Sequence, residues 1–173
     1  MYAYSEENTQ QALHKGLTPE QSHLLREAKV AVVGLGGLGS NVGMWLARLG
    51  VGHLLLYDFD KVELSNLNRQ YYFLEDVGKY KAEALLAKLQ QVNPYGDYQS
   101  KVTRLTEANL EELLAPAHII CEALDKAEAK AMLVNGVLEK FPDKYLVAAS
   151  GLAGLEDSAS MTVRQITPRF YLC

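Results

Sequence analysis

The sequence predicts an α/β protein, a Rossmann-like, doubly wound, mostly parallel sheet with helices on both faces. Three observations carry that prediction. Short apolar runs alternate along the chain with longer amphipathic stretches, the rhythm of strand–helix units. The first apolar run, Val30-Ala31-Val32-Val33, passes through Gly34-Leu35-Gly36-Gly37-Leu38-Gly39 straight into a helical pattern. The next apolar run ends on an acid, Asp58, as the second strand of a dinucleotide-type unit does.

Taken in order, residues 1–27 read as a helical lead. From about Ser5 to Glu27 the chain is polar with scattered Leu and Ala, and Thr18-Pro19 places an N-cap before a proline at the first helical position. Lys29 to Val33 reads as a buried strand. Ser40 to Leu49 has apolar residues at helical spacing and stops at Gly50. His53 to Tyr57 forms a second strand that closes on Asp58-Phe59-Asp60. Lys79 to Gln91 is an amphipathic helix ending before Asn93-Pro94, and Tyr98 to Leu105 alternates like a third strand. His118 to Glu122 supplies a fourth strand, Asp125 to Lys140 a helix and Tyr145 to Ser150 a fifth strand. With no repeat, low-complexity tract or long linker, 1–173 is expected to be a single domain. The apolar, strand-like ending Phe170-Tyr171-Leu172-Cys173 reads as a truncated C-terminus.

Composition narrows the function. At 173 residues with a net charge of −4, the chain lacks the basic stripe of a sequence-blind nucleic-acid binder. No apolar run approaches the roughly 20 residues of a membrane helix. The polar, acidic start Met1-Tyr2-Ala3-Tyr4-Ser5-Glu6-Glu7 is unlike a secretory signal. Cys121 and Cys173 alone make neither a disulfide framework nor a C-x-x-C metal pair. A cytoplasmic protein without membrane or nucleic-acid partners is the expectation.

The glycine turn defines the ligand class. Glycines let the backbone turn tightly and approach an anion, and the helix that follows aims free N–H groups and a positive dipole end at it. That pattern alone matches nicotinamide, flavin and adenylate binders. The chain continues, however, with Ser65-Asn66-Leu67-Asn68-Arg69-Gln70, then Gly78-Lys79-Tyr80-Lys81 at a helix start. An arginine and a lysine converging on the turn suit a triphosphate. Asp125, after the fourth strand, is placed to bind magnesium through oxygen.

Those pieces, with Gly50-Val51-Gly52 and Asn93-Pro94, resemble the adenylating domain of the ubiquitin-activating-type superfamily that includes MoeB and ThiF. The lead Leu17-Thr18-Pro19-Glu20, the run Ala148 to Gly154 and the ending Phe170 to Cys173 resemble the short ThiF proteins of thiamine biosynthesis. The resemblance implies ATP- and Mg2+-dependent adenylation of the C-terminal glycine of a ThiS-like, ubiquitin-like sulfur carrier. Pyrophosphate is released, and a sulfur donor protein later attacks the acyl-adenylate. Carried over by position, Gly34, Gly36, Gly37 and Gly39 line the phosphate turn, and Asp58, with Asp60, lies at the ribose. Arg69 and Lys81 match the phosphate-binding pair, Asn66 and Gln70 shape the loop around the nucleotide, and Asp125 matches the magnesium-linked aspartate. The catalytic set so implied is Arg69, Lys81 and Asp125. A homodimer is also implied.

The chain departs from the larger family in three places, one of them its stop on strand-like Phe170-Tyr171-Leu172-Cys173 where relatives usually run on, the ground for expecting a truncated C-terminus. Arg26 precedes the first strand and does not match the N-terminal arginine by which many relatives reach a partner subunit. Paired C-x-x-C motifs are absent, so no structural zinc is expected. Each residue also has a plainer reading: Asp58 as a turn cap, Arg69 as a surface ion-pair residue, Lys81 as a solvated helix lysine like Lys79, Asp125 as a helix cap. Cys121, inside an apolar strand, reads as a small hydrophobe. The four histidines read as structural or surface residues, and Trp45 as core or dimer packing. The rival functions are a MoeB-like activator for molybdopterin synthesis, a relative acting on tRNA-bound threonylcarbamoyl groups, a non-catalytic carrier binder and an NAD-dependent oxidoreductase.

Overall fold

The computed structural model describes residues 4–150 and 162–173. The lead is two helices broken at Gly16. In α1 (Glu6–Leu13) the Ser5 side chain accepts the Asn8 N–H. In α2 (Pro19–Glu27) Thr18 and Gln21 form a reciprocal capping box behind Pro19. His14 fastens α1 to the body, its ring Nε2 lying 3.1 Å from the Gly50 carbonyl.

The sheet contains β1 (Lys29–Val33), β2 (His53–Asp58), β3 (Asp97–Val102), β4 (Ile119–Glu122), β5 (Tyr145–Ala148), β6 (Arg164–Thr167) and β7 (Phe170–Leu172). Their spatial order is β3-β2-β1-β4-β5-β7-β6, every pairing parallel except β6 with β7. Thus β1 lies between β2 and β4, with Val33 opposite Tyr57 on one side and Glu122 on the other. Carboxyl ends of neighbouring strands therefore meet where the strand order reverses, the place where ligands bind in such sheets.

Burial on both faces explains the unbroken apolar run of β1. Val30 and Val32 pack with Met44, Leu54, Leu56, Leu85 and Leu89, under α3 (Gly39–Arg48) and α4 (Lys81–Val92). Ala31 and Val33 face Leu110, Leu114, Leu133 and Val137, from α5 (Leu110–Leu114) and α6 (Ala127–Lys140). The Rossmann-like, doubly wound, mostly parallel sheet expected from the sequence is the fold found.

Several boundaries differ for local reasons. The third strand ends at Val102 rather than Leu105: its partner β2 ends at Asp58, whose carbonyl takes the last ladder bond from the Thr103 N–H, and Asn109 folds the next segment through Thr106 and Arg104. The fourth helix starts at Lys81 instead of Lys79. Lys79 N–H closes a turn on Asp76, and extended Tyr80 pairs with Lys61. The helix read from Asp125, α6, begins at Ala127, two residues later, with no side-chain cap. Asp125 is therefore not the helix cap considered above. Neither α5 nor β6 was foreseen: the first is too short to show a helical period, and the exposed β6 has no apolar alternation. Phe170–Leu172 is a strand as read, and Gly151-Leu152-Ala153-Gly154 lies outside the described residues. Trp45 is 66% exposed and so is not a core residue.

Candidate nucleotide site

The centre of the site is the turn between β1 and α3. Gly34 sits at φ +87°, and a Cβ there would meet the Ala123 carbonyl at 2.7 Å. Gly39 is packed harder, since a Cβ would lie 1.8 Å from the Gly34 carbonyl oxygen. These two glycines fold the turn. Gly36 is different: a Cβ there would find nothing closer than Gln70 at 3.8 Å. Among the described residues, no backbone acceptor takes the N–H groups of Gly36, Gly37 and Leu38, and no side chain caps α3. Unsatisfied donors at a helix start are what an anion needs.

This division yields a prediction. Gly39→Ala is expected to lower stability by ~1–3 kcal/mol, because the clash is with backbone that cannot step aside. Gly36→Ala should leave the urea midpoint unchanged yet weaken nucleotide binding, since its methyl would occupy open space over the turn. Denaturation curves paired with nucleotide titration separate the two effects.

The loop carrying the polar motif docks on this turn through several bonds. Ser40 Oγ donates to the Gly36 carbonyl at 2.6 Å and accepts the Tyr71 N–H at 3.0 Å. Asn41 Nδ2 bridges the Gly37 carbonyl at 2.6 Å and the Arg69 carbonyl at 3.1 Å. Tyr72 donates its hydroxyl to Leu35 O at 2.8 Å. Arg69 is exposed and lies along Gly37, whose Cβ would touch its side chain at 3.5 Å. Its Nη1 donates to Asn68 Oδ1 at 2.9 Å.

The other motif residues take distinct places. Asn66 braces the 3-10 turn Leu64–Asn68: its Oδ1 accepts the Glu63 N–H, and its carbonyl accepts from Arg69 and Gln70. Gln70 is buried beside Gly36, and its Oε1 has no hydrogen-bond partner among the described residues. Such an orphaned acceptor is uncommon and calls for a further donor. Lys81, the first residue of α4, is only 7% exposed, with Nζ 3.4 Å from Asp60 Oδ2. Lys79, in contrast, is on the surface against Asp76. Burial thus distinguishes the two lysines that the sequence presents together.

Asp58, at the end of β2, is 8% exposed and knits the site together. Oδ2 accepts the Leu35 N–H and Oδ1 the Asp60 N–H, both at 2.7 Å. Burial raises its pKa, a push opposed by those two N–H bonds and by the Lys81 ammonium. Each oxygen keeps a second lone pair for a hydroxyl. Asp125 lies exposed in the turn after β4 and has no side-chain partner among the described residues. An exposed carboxylate in the turn whose Ala123 packs against both Gly34 and Gly39 is the donor type that suits magnesium, which is held by one or two carboxylates plus phosphate oxygens. Cys121 is set apart from this chemistry, for burial pushes its thiol up to about 11.

Sequence reading missed Glu122. It is 2% exposed at the end of β4 and ion-paired to Lys130. An acid closing an apolar strand, with a lysine eight residues later on the following helix, was the available signal.

These features define a doubly wound α/β protein whose switch point carries a glycine turn with open N–H groups, a buried amine, an exposed arginine and, among the described residues, an unpaired carboxylate. Comparison with known proteins assigns the class: a family model described as "ThiF family" matches residues 8–168, and the chain belongs to that family. It is 38% identical over 130 residues to the sulfur carrier protein adenylyltransferase of Thermus thermophilus, covering 75% of this chain and 43% of that protein. It is 34% identical to the molybdopterin-synthase adenylyltransferase of Haemophilus influenzae, covering 71% of this chain and 51% of that protein. Among solved structures, the E. coli tRNA N6-threonylcarbamoyladenosine dehydratase in complex with ATP superposes with a TM-score of 0.84 at 27% identity. That match covers 94% of this chain and 68% of the dehydratase. The chain thus spans about half or less of the length of these two adenylyltransferases.

Proposed function

We propose that this chain is an ATP-dependent adenylyltransferase acting on the C-terminal glycine of a ubiquitin-like sulfur carrier, ThiS-like and serving thiamine thiazole formation. The observation that supports it most is exposed Arg69 lying along Gly37 of the turn with open N–H groups, while buried Lys81 acts on Asp58, which holds the Leu35 N–H of that turn, in a chain of the ThiF family. The ATP complex of the E. coli dehydratase supports the choice of nucleotide.

In this reading Gly34, Gly36, Gly37 and Gly39 form the cradle, Asp58 receives the ribose hydroxyls, and Asp60 holds Lys81 in place. The carrier carboxylate attacks the α-phosphorus in line, an oxygen–phosphorus bond forms, and the bond to pyrophosphate breaks. Arg69 and Lys81 neutralise charge that develops on the phosphates, while Asn66 and Gln70 keep the loop closed on them. Magnesium held at Asp125 would supply further charge neutralisation on the phosphate oxygens. Catalysis is by positioning and electrostatics, with no covalent protein intermediate. The acyl-adenylate then passes to a sulfur donor protein. Comparing rates of exchange with a ThiS-like and a MoaD-like carrier tests the thiamine assignment, and preference for the second would make the chain a molybdopterin-type activator.

A second reading, action on a modified tRNA, draws on the close superposition with the tRNA-modifying dehydratase. The net charge of −4 is its main physical objection.

A homodimer belongs to the proposal. Leu38, Trp45 and Leu49 lie seven and four residues apart, so one exposed stripe of α3 carries all three. Phe73 and Leu74 are also exposed, on the loop that docks beside this helix. Trp45→Glu is expected to shift the sedimentation mass from dimer to monomer; an unchanged dimer would place the interface elsewhere.

A further inference from the structure

The pair of buried Glu122 and half-buried Lys130 is not used in the chemistry above, although it adjoins the site. Glu122 closes β4 in register with Val33 of β1 and Ala148 of β5, at the switch point itself. Its Oε1 accepts the Leu124 N–H at 2.6 Å, and both oxygens take Lys130 Nζ, at 2.9 and 2.8 Å. Lys130, from the start of α6, also donates to the Ala149 carbonyl at 3.2 Å. One ion pair therefore ties four things: the end of β4, the turn after it, the first turn of α6 and the end of β5.

A buried pair is a poor source of stability, because desolvating two charges offsets most of their attraction. Its position offers another role. The clamped turn is Ala123-Leu124-Asp125. The Ala123 N–H donates to the Val33 carbonyl, and its backbone stands against Gly34 and its Cβ against Gly39. Among the described residues Asp125 makes no side-chain bond and α6 has no side-chain cap, so the backbone of the turn aims its carboxylate. The Leu124 N–H, one residue before it, is the donor that Glu122 holds.

We propose that Glu122 and Lys130 are positioning residues that hold the turn 123–125, and through it Asp125, for the metal-bound nucleotide. The proposal rests on the reading of this turn as a nucleotide site, and on nothing about the carrier. Outer partners that orient a ligand carboxylate are typically worth about 10- to 100-fold in metal affinity or activity.

The test is calorimetric titration of the whole chain with ATP, once with magnesium and once with EDTA, where circular dichroism shows each variant folded. Glu122→Gln and Lys130→Met should bind magnesium–ATP about tenfold or more weakly while binding ATP in EDTA as the wild type does. Lys130→Arg should retain wild-type affinity. Asp125→Ala should show the same magnesium-specific loss, and adding Glu122→Gln to it should cost nothing more. Should a single variant fail to fold, the pair E122Q/K130M, which leaves no unpaired buried charge, carries the measurement. Equal losses with and without magnesium, unaltered affinities, or a wild type that gains nothing from magnesium would each overturn the proposal. A wild type with the magnesium gain but no pyrophosphate exchange would instead overturn the adenylation reading and leave this one standing.

Discussion

Lys81→Ala is expected to lower carrier-dependent ATP–pyrophosphate exchange by about a hundredfold or more, and Arg69→Ala by a comparable factor, with the fold intact. On the proposed reading each side chain would supply positive charge where a triphosphate develops negative charge, and for Lys81 burial would strengthen the effect. The amine is buried, 3.4 Å from Asp60 and close enough to Asp58 to act on its carboxyl, so it sits among the charged groups at the end of β2. Lys79→Ala is the internal control. That lysine is exposed and paired with Asp76, and its removal should leave the exchange rate near wild type. Equal losses for Lys79 and Lys81 would show that the helix start as a whole, rather than the buried amine, is responsible.

Asp76→Ala should produce the largest loss of stability, about 3–5 kcal/mol, by leaving buried Lys88 only the exposed Glu75, 3.7 Å away, as a counter-charge. Asp76 Oδ2 accepts the Phe73 N–H at 2.8 Å and pairs with Lys88 Nζ at 2.6 Å, and both residues of the pair are buried. Lys88 also stands 4.3 Å over the Phe73 ring. The pair fastens the loop that follows the Arg69 motif onto α4, so its loss should also loosen the site. Burial of Asp76 would raise its pKa, but Lys88, the Phe73 N–H and Lys79 together outweigh that, and the net shift is downward from 3.8. The stabilisation from this group is thus complete above the ordinary carboxylate value and is lost as pH falls through the lower folded value. Thermal melts at pH 7 and in acid should show the Asp76→Ala deficit shrinking in acid. Asp76→Ala with Lys88→Met should recover much of the loss, which a simple packing defect would not allow.

The β1–turn–α3 unit was legible because three signals agreed locally: a doubly buried strand, glycines at the turn and a helical period beyond. The identities of β1, β2, β4 and β5 followed from apolar runs, and that of β3 from alternation. β6 and α5 were not legible, since an exposed edge strand of Arg164-Gln165-Ile166-Thr167 and a five-residue helix carry no period. At the site, residue types and spacing pointed to Arg69, Lys81 and Asp125, but could not say which of two neighbouring lysines is buried. That depends on the turn Asp76 makes with Lys79 and the bridge Tyr80 makes with Lys61. Nor could spacing show that Asp58 already holds the Leu35 and Asp60 N–H groups, or that Glu122 and Lys130 meet, because those contacts exist only once the strands are in register.

The most direct measurement of the central claim is ATP–pyrophosphate exchange by the purified chain with magnesium and a ubiquitin-like carrier ending in Gly-Gly. The account predicts exchange that requires the carrier and collapses in Arg69→Ala and Asp125→Ala. Bound ATP without carrier-dependent exchange, using carriers of both the ThiS and MoaD types, would contradict it.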